Sequence, residues 1–365
     1  MESNHRTLYI DALTYKKNKA HGYNEYLFNL LDYLYNNREK LSYAEITIIC
    51  EKSQVENFKI FSNKFKIKCF SFSNLFKRII IQRICNFLLP IKQQDTILFT
   101  ANYSTIWKRC NQVLVVHDLL FLRGMLKSKL IKYQRKLLVP LSLKKANKII
   151  AISEFTKNDI LNNYNINSTK IEVIYNYFNF KKFHTENQAT NRTKTIISIA
   201  SASPHKNTIC ILKAFLNYKI KGGKYDLQLI GKIKQDTPEY EVFLEIKNKF
   251  PDSISNYYNL SNQDLGKKYS HAEVYVSASL FEGLGMPIVE SMYFGLILVL
   301  PSTPSIFREV SNNSAIFFES NNHNELSNIF SQIENHKIAI TKNYDLARFD
   351  SSNTSELYIS CLNKI

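Results

Sequence analysis

The chain has 365 residues, 45% of them hydrophobic, and 48 Lys and Arg against 31 Asp and Glu give a net charge of +17. That length and apolar share supply two cores and exclude a disordered or fibrous chain. Nine glycines and eight prolines are too few for a loop-rich all-β protein, so long regular elements in α/β layers are expected.

In chain order, the first half alternates short apolar runs with longer periodic segments. Strands are expected at 7–11, 46–50, 96–100, 113–116, 148–152 and 171–174, and helices at 22–35 and 128–145. Ser153 N-caps the next helix, with Glu154 in its first turn. Residues 176–194 are polar and aperiodic and read as a boundary, giving a first domain at 1–180 and a second at 190–345. The second half starts afresh with strands at 195–200, 226–230, 273–276 and 297–300, and helices at 208–218, 239–249 and 287–294. Two doubly wound domains leave a cleft between them, and ligands in such sheets sit beyond the carboxyl ends of the strands.

The charge is unevenly spread. Residues 64–92 carry Lys64, Lys66, Lys68, Lys77, Arg78, Arg83 and Lys92, and 119–150 carry nine further Lys and Arg, neither block holding an acid. Such faces attract phosphates of anionic lipid, a lipid-linked diphosphate or nucleic acid, though a solvated Lys-rich surface has the same composition. Residues 76–90 suit a basic amphipathic helix on a membrane or, equally, a core helix with one charged face. The six cysteines show no metal or redox spacing and read as small buried hydrophobes. With neither a signal pattern nor an apolar run of membrane-spanning length, a cytosolic chain is expected.

The strongest constellation runs from Ser277 to Glu290. It leaves a buried strand, passes Gly283 and Gly285, and enters a helix with Pro287 at its first position and Gly295 as its C′ residue. A glycine-containing loop opening into a helix N-terminus is an anion site, and a diphosphate is its natural occupant. Glu282 in the loop and Glu290 one turn inside the helix are poor phosphate ligands and good acceptors for sugar or ribose hydroxyls; the bland alternative is a loop carboxylate and a solvated helix residue. Lys206 follows the first strand of the second half, where a cation can neutralise a leaving phosphate. His117, ahead of Asp118, ends a strand of the first half and can hydrogen-bond a ligand or cap its own loop. Gly22 precedes a helix near Asp11 and can admit a ligand close to the backbone, or simply start that helix.

The 277–295 segment resembles the E-x7-E motif of the GT-B retaining glycosyltransferases of family 4, with Ala272, Val274, Val276, Ser279, Glu282, Gly283, Gly285, Pro287, Glu290, Met292 and Gly295 in register. The stretches 146–159, 170–176 and 203–207, the loop His21-Gly22-Tyr23 and, weakly, the tail 346–362 are similar to the same family. The resemblance implies two Rossmann-like domains facing across a cleft, with a C-terminal helix (346–365) returning to the first. It also implies that Glu282 meets donor-sugar hydroxyls, Glu290 holds the ribose, and the backbone of Gly283, Leu284, Gly285 and Met286 holds the donor. His117 would contact the sugar. One departure stands out: family members often carry an arginine early in the Lys206 turn, and Ala200 to Ser203 offer none; His205 reads as a flanking surface histidine in preference to a partial substitute.

These readings converge on a retaining, metal-independent hexosyltransferase with no cofactor. Its donor would be a nucleoside-diphosphate sugar, GDP-mannose in preference, and its acceptor a polyprenyl-diphosphate-linked glycan of O-antigen or capsule assembly. It would work peripherally on the anionic inner membrane surface. A GT-B sugar-nucleotide epimerase shares the fold but needs acid and base groups around the sugar, which the sequence does not offer. A nucleic-acid-binding protein would explain the charge, but no binding motif accompanies it.

Overall fold

The computed structural model describes residues 6–16, 22–71, 95–101, 110–126, 128–183, 192–201 and 203–365. The expected helix at 76–90, together with His21 and Lys127, lies outside the described residues. The chain forms two compact units, Met1–Phe178 with Arg348–Ile365, and Asn179–Ala347.

The first unit contains β1 (Thr7–Ala12), α1 (Gly22–Asn36), β2 (Glu45–Glu51), α2 (Val55–Phe58), β3 (Lys66–Phe70), β4 (Thr96–Thr100), β5 (Asn111–Val116), α3 (Lys129–Lys145), β6 (Lys148–Ala151), α4 (Glu154–Asn163) and β7 (Ile171–Val173). Its sheet runs β3-β2-β1-β4-β5-β6-β7 with every pairing parallel. The central strands β4 and β5 are apolar and buried almost throughout, as strands covered on both faces must be. Ser153 caps α4 as expected, its hydroxyl accepting from Thr156 N at 3.0 Å.

The second unit contains β8 (Thr195–Ile199), α5 (Thr208–Ile220), β9 (Asp226–Ile230), α6 (Pro238–Lys249), β10 (Ile254–Tyr257), α7 (Asn262–His271), β11 (Val274–Val276), α8 (Met286–Tyr293), β12 (Ile297–Pro301), α9 (Ile306–Ser311), β13 (Ile316–Phe318) and α10 (His323–Glu334). Its parallel sheet runs β10-β9-β8-β11-β12-β13. Leu212, Phe215, Leu229, Val276, Val299 and Phe330 are among the side chains that build its core. The last helix, α11 (Ser351–Asn363), belongs to the first unit. There Tyr26 of α1 donates to the Tyr358 hydroxyl at 2.8 Å, and Tyr358 is fully buried.

Two readings are corrected, and the boundary segment after residue 176 is more firmly anchored than its polar sequence suggests. Phe178 is buried in the first unit, where its N–H donates to Phe349 O at 3.0 Å. Just beyond, the turn Phe180–Phe183 seats a fully buried Phe183 against Tyr269 and Phe294 in the second. Isolated aromatic anchors in polar sequence carry no periodicity, so pattern reading passes over them. The strands β3, β10 and β13 were not expected, being short sheet-edge strands with several partly exposed positions. Among the described cysteines, Cys69 is exposed and Cys110 half-buried, unlike Cys50, Cys210 and Cys361.

Candidate functional site

In the second sheet the order reverses between β8 and β11. Connections leaving the carboxyl ends at such a reversal lead to opposite faces of the sheet, and ligands of such sheets bind there. Here the loops that follow β8 and β11 carry Lys206 and Glu282.

The first loop is anchored at its root by Ala200, whose N–H donates to Ile230 O at 2.8 Å. Gly231 makes that approach possible: its φ is +120°, and a Cβ on it would stand 2.1 Å from Ala200 O. The loop then turns through Pro204–Lys206 and reaches α5 by way of Asn207, a left-handed residue with φ 49°. The second loop starts by prolonging the sheet, with Ser277 N donating to Val299 O at 3.1 Å. Leu280 N donates to His205 O at 2.7 Å and ties the two loops together. Gly285, with φ 87°, is the N-cap of α8. The helix opens at Met286, so Pro287 takes its second position instead of the first; either N–H lacks a helical acceptor, and the cost is equally small. Gly295 closes α8 as expected, with its N–H on Met292 O at 2.9 Å and that of Leu296 on Ser291 O at 3.0 Å.

Two ion pairs organise the charges. Lys206 Nζ donates to Glu282 Oε1 at 2.6 Å, with side chains 20% and 14% exposed. Glu290 is buried, against the bland reading of a solvated helix residue. Lys182 Nζ donates to its Oε1 at 3.0 Å and the Tyr269 hydroxyl to its Oε2 at 3.1 Å. Burial, with the charges of Glu282 and Glu290, holds the Tyr275 hydroxyl of β11 well above the ordinary tyrosine range, so it stays a neutral phenol. Leu284 is buried by its side chain, whereas Gly283, Met286 and Pro287 are partly exposed at the mouth of the loop.

Lys182, Tyr269 and Tyr275 were missed by sequence reasoning. Lys182 lies in the stretch read as a domain boundary, and nothing local marks it; its 108-residue separation from Glu290 is bridged only by the fold. Tyr275 alternates with Val274 and Val276 on β11, which reads as an ordinary buried strand.

The first sheet reverses between β1 and β4. His117, just past β5, has Nε2 3.1 Å from the carbonyl of Ala101, which follows β4. That contact requires the neutral ring to carry its proton on Nε2, leaving Nδ1 as an acceptor. Tyr23 and Tyr26 of α1 meet the imidazole edge-on, with centroids 5.9 and 4.8 Å away. Burial lowers its pKa to about 4, against the opposing charge of Asp118. Asp118 does structural work, its Oδ1 accepting Leu120 N two residues on at 2.9 Å, where the turn Leu120–Arg123 begins. Gly22 is the exposed first residue of α1, next to Tyr23. The fold thus groups His117 with the start of α1 in one unit, and Glu282, Lys206 and Glu290 in the other. Among the described residues there is no cluster of metal-ligating side chains, and no helix is long and apolar enough to cross a membrane.

Known proteins share this construction. Residues 179–345, almost the whole second unit, match the family described as Glycosyl transferases group 1, and residues 54–181 match Glycosyltransferase Family 4. The crystal structure of Anabaena HepE in complex with UDP and glucose superimposes with a TM-score of 0.70 at 14% identity, covering 99% of this chain and 100% of that one. The chain is a glycosyltransferase of the GT-B fold, of the group 1 and family 4 type. Within that class it resembles the O-antigen mannosyltransferases. It is 26% identical over 271 residues to the O-antigen chain mannosyltransferase RfbU of Salmonella typhimurium, 73% of each chain. It is also 28% identical over 153 residues to the MMP alpha-(1->4)-mannosyltransferase of Mycolicibacterium hassiacum, 41% of this chain and 36% of that protein.

Proposed function

We propose that the chain transfers mannose, with retention at the anomeric carbon, from GDP-mannose to a polyprenyl-diphosphate-linked glycan of surface polysaccharide assembly. The observation that carries this reading is the Lys206–Glu282 pair at the reversal of the second sheet, beside the N-terminus of α8. Backbone N–H groups of the first turn and the Lys206 ammonium supply positive charge where a leaving diphosphate needs it. Glu282 presents a fixed acceptor for sugar hydroxyls, and Glu290, held by Lys182 and Tyr269, one for the ribose. The likeness to two mannosyltransferases supports the choice of sugar, and RfbU supports the choice of pathway class.

In this reading the bond from C1 of the sugar to the β-phosphate oxygen breaks while the acceptor oxygen bonds C1 on the same face. The acceptor proton passes to the departing phosphate oxygen, so the protein supplies no base. His117, neutral and with Nδ1 as acceptor, fits a role in hydrogen-bonding the sugar and not one in proton transfer. The charge that Lys206 and the helix supply removes the need for a metal.

The test is turnover of a sugar-nucleotide panel by the purified chain, with NMR of the product anomer. GDP-mannose is expected to give the highest kcat/KM, an α product and the same rate in EDTA. Lys206→Ala and Glu282→Ala are each expected to lower kcat by about 100-fold or more, the scale of losing one stabiliser of developing charge. Turnover that survives both substitutions would overturn the assignment of this site. An epimerised free sugar nucleotide would replace transfer by epimerisation.

A further inference from the structure

Helix α3 carries its apolar residues on the wrong side for a helix facing water. Its inward contacts are few: Val139, Ser142 and Leu143 are its buried residues. Its outward face bears Leu130, Tyr133, Leu137 and Leu141, which are 61%, 71%, 62% and 41% exposed. Their spacing of three, four and four residues puts them on one stripe. By the same helical geometry Lys129 and Lys136 border the stripe on one side, Lys145 borders it on the other, and Lys144 stands within it. All four lysines are exposed, and α3 contains no acidic residue. Single exposed apolar side chains are ordinary on protein surfaces. Four in a row with a basic rim have the form of a helix lying in a lipid headgroup layer, its rings and branched chains inward and its lysines reaching to phosphates.

We infer that α3 is a membrane-docking helix, lying flat on an anionic bilayer with Leu130, Tyr133, Leu137 and Leu141 inserted and its rim lysines on lipid phosphates. Charge selects this occupant. A second copy of the chain would set one lysine rim against another in a molecule of net charge +17, which opposes self-association through this face. Anionic headgroups meet the same rim with attraction. The inference deepens the proposed function and rests on it for its purpose, since a lipid-linked acceptor is reached only at the membrane. Insertion also distinguishes it from a purely electrostatic attraction of the basic block.

The experiment is vesicle flotation of the full chain with phosphatidylcholine alone and with added phosphatidylglycerol. The wild type is expected to float with the anionic vesicles and to retain part of its binding at physiological salt. Leu130→Ser/Leu137→Ser/Leu141→Ser keeps every charge and is expected to bind at least about tenfold more weakly. Lys129→Gln/Lys136→Gln/Lys144→Gln keeps the apolar stripe and is expected to lose the preference for the anionic lipid. A second readout needs no disruptive variant: Leu137→Trp should give a blue-shifted emission on anionic vesicles. Absence of that shift, no flotation of the wild type, or equal flotation of the Leu-to-Ser variant would overturn the inference. So would a dimer of the wild type, seen by sedimentation, that the Leu-to-Ser variant dissociates, which would give the face to a second copy. Sugar transfer to a water-soluble acceptor should be unchanged in both multiple variants. A wild type that floats but transfers no sugar would sink the proposed function and leave the docking helix standing.

Discussion

Lys182 shows how a residue far from any motif governs one within it. Its ammonium and the Tyr269 hydroxyl occupy both oxygens of a carboxylate that the helix around it buries. Breaking a buried pair from one side leaves an uncompensated charge, which costs about 3 kcal/mol or somewhat more. Lys182→Met should lower stability in urea by that order, and adding Glu290→Gln to it should restore much of the loss. Additive effects of the two substitutions would contradict the coupling. If Glu290 holds the ribose, Lys182→Met also raises the donor KM more than it lowers kcat. His117 makes a second prediction at this scale. The unfolded imidazole titrates near its ordinary 6.5 and the folded one near about 4, so between these values the unfolded chain takes up a proton that the folded chain refuses. The stability this group confers is complete above its unfolded pKa and is lost as pH falls through the folded one. Melting temperature should therefore fall from neutral pH towards pH 4 less steeply in His117→Gln than in the wild type. At neutral pH, catalysis should show no titration of His117.

At the scale of elements, α8 is short and earns its place through its ends. Pro287 and Gly285 set where it begins, and the bonds of Gly295 and Leu296 set where it stops. Replacing Gly285 by Ala would place Cβ 2.8 Å from Ile288 Cδ1 on a left-handed backbone, a strain of about 1–2 kcal/mol located in the loop that carries Glu282. Gly231 is less forgiving because the atom in the way is the backbone oxygen of Ala200. Gly231→Ala must move either the end of β9 or the root of the Lys206 loop. We expect a stability loss larger than that of Gly285→Ala, together with a marked drop in kcat, from a residue outside both ion pairs. Thermal denaturation and steady-state kinetics of the two variants check the order.

At the scale of the whole molecule, the chain completes its first unit last. Residues 348–365 return to the unit that residues 1–178 begin, and α11 fills a place in that core with Tyr358. Truncation after Ala347 would remove Tyr358 from beside Tyr26 and expose α1 along the side it covered. Hydrogen exchange should then speed up in residues 22–36, while the second unit keeps its protection. Equal loss of protection in both units would mean that they do not fold as the separate cores described here.

The sequence by itself determined the class of the fold, the central strands of both sheets and the closing of α8, and it marked Glu282, Glu290, Lys206 and His117 as candidates. Those features are local: a run of apolar residues, a glycine or proline at a helix end, a carboxylate at fixed spacing. Only the tertiary structure decided which charges pair. Lys206 meets Glu282 because the parallel strands β8 and β11, distant in the chain, end side by side, and Lys182 meets Glu290 because the turn at Phe180–Phe183 packs against the second unit's own core. It also decided which side of α3 faces outward. The sequence shows lysines and leucines on one helix, and burial alone tells which of them the core takes and which it leaves to the surface.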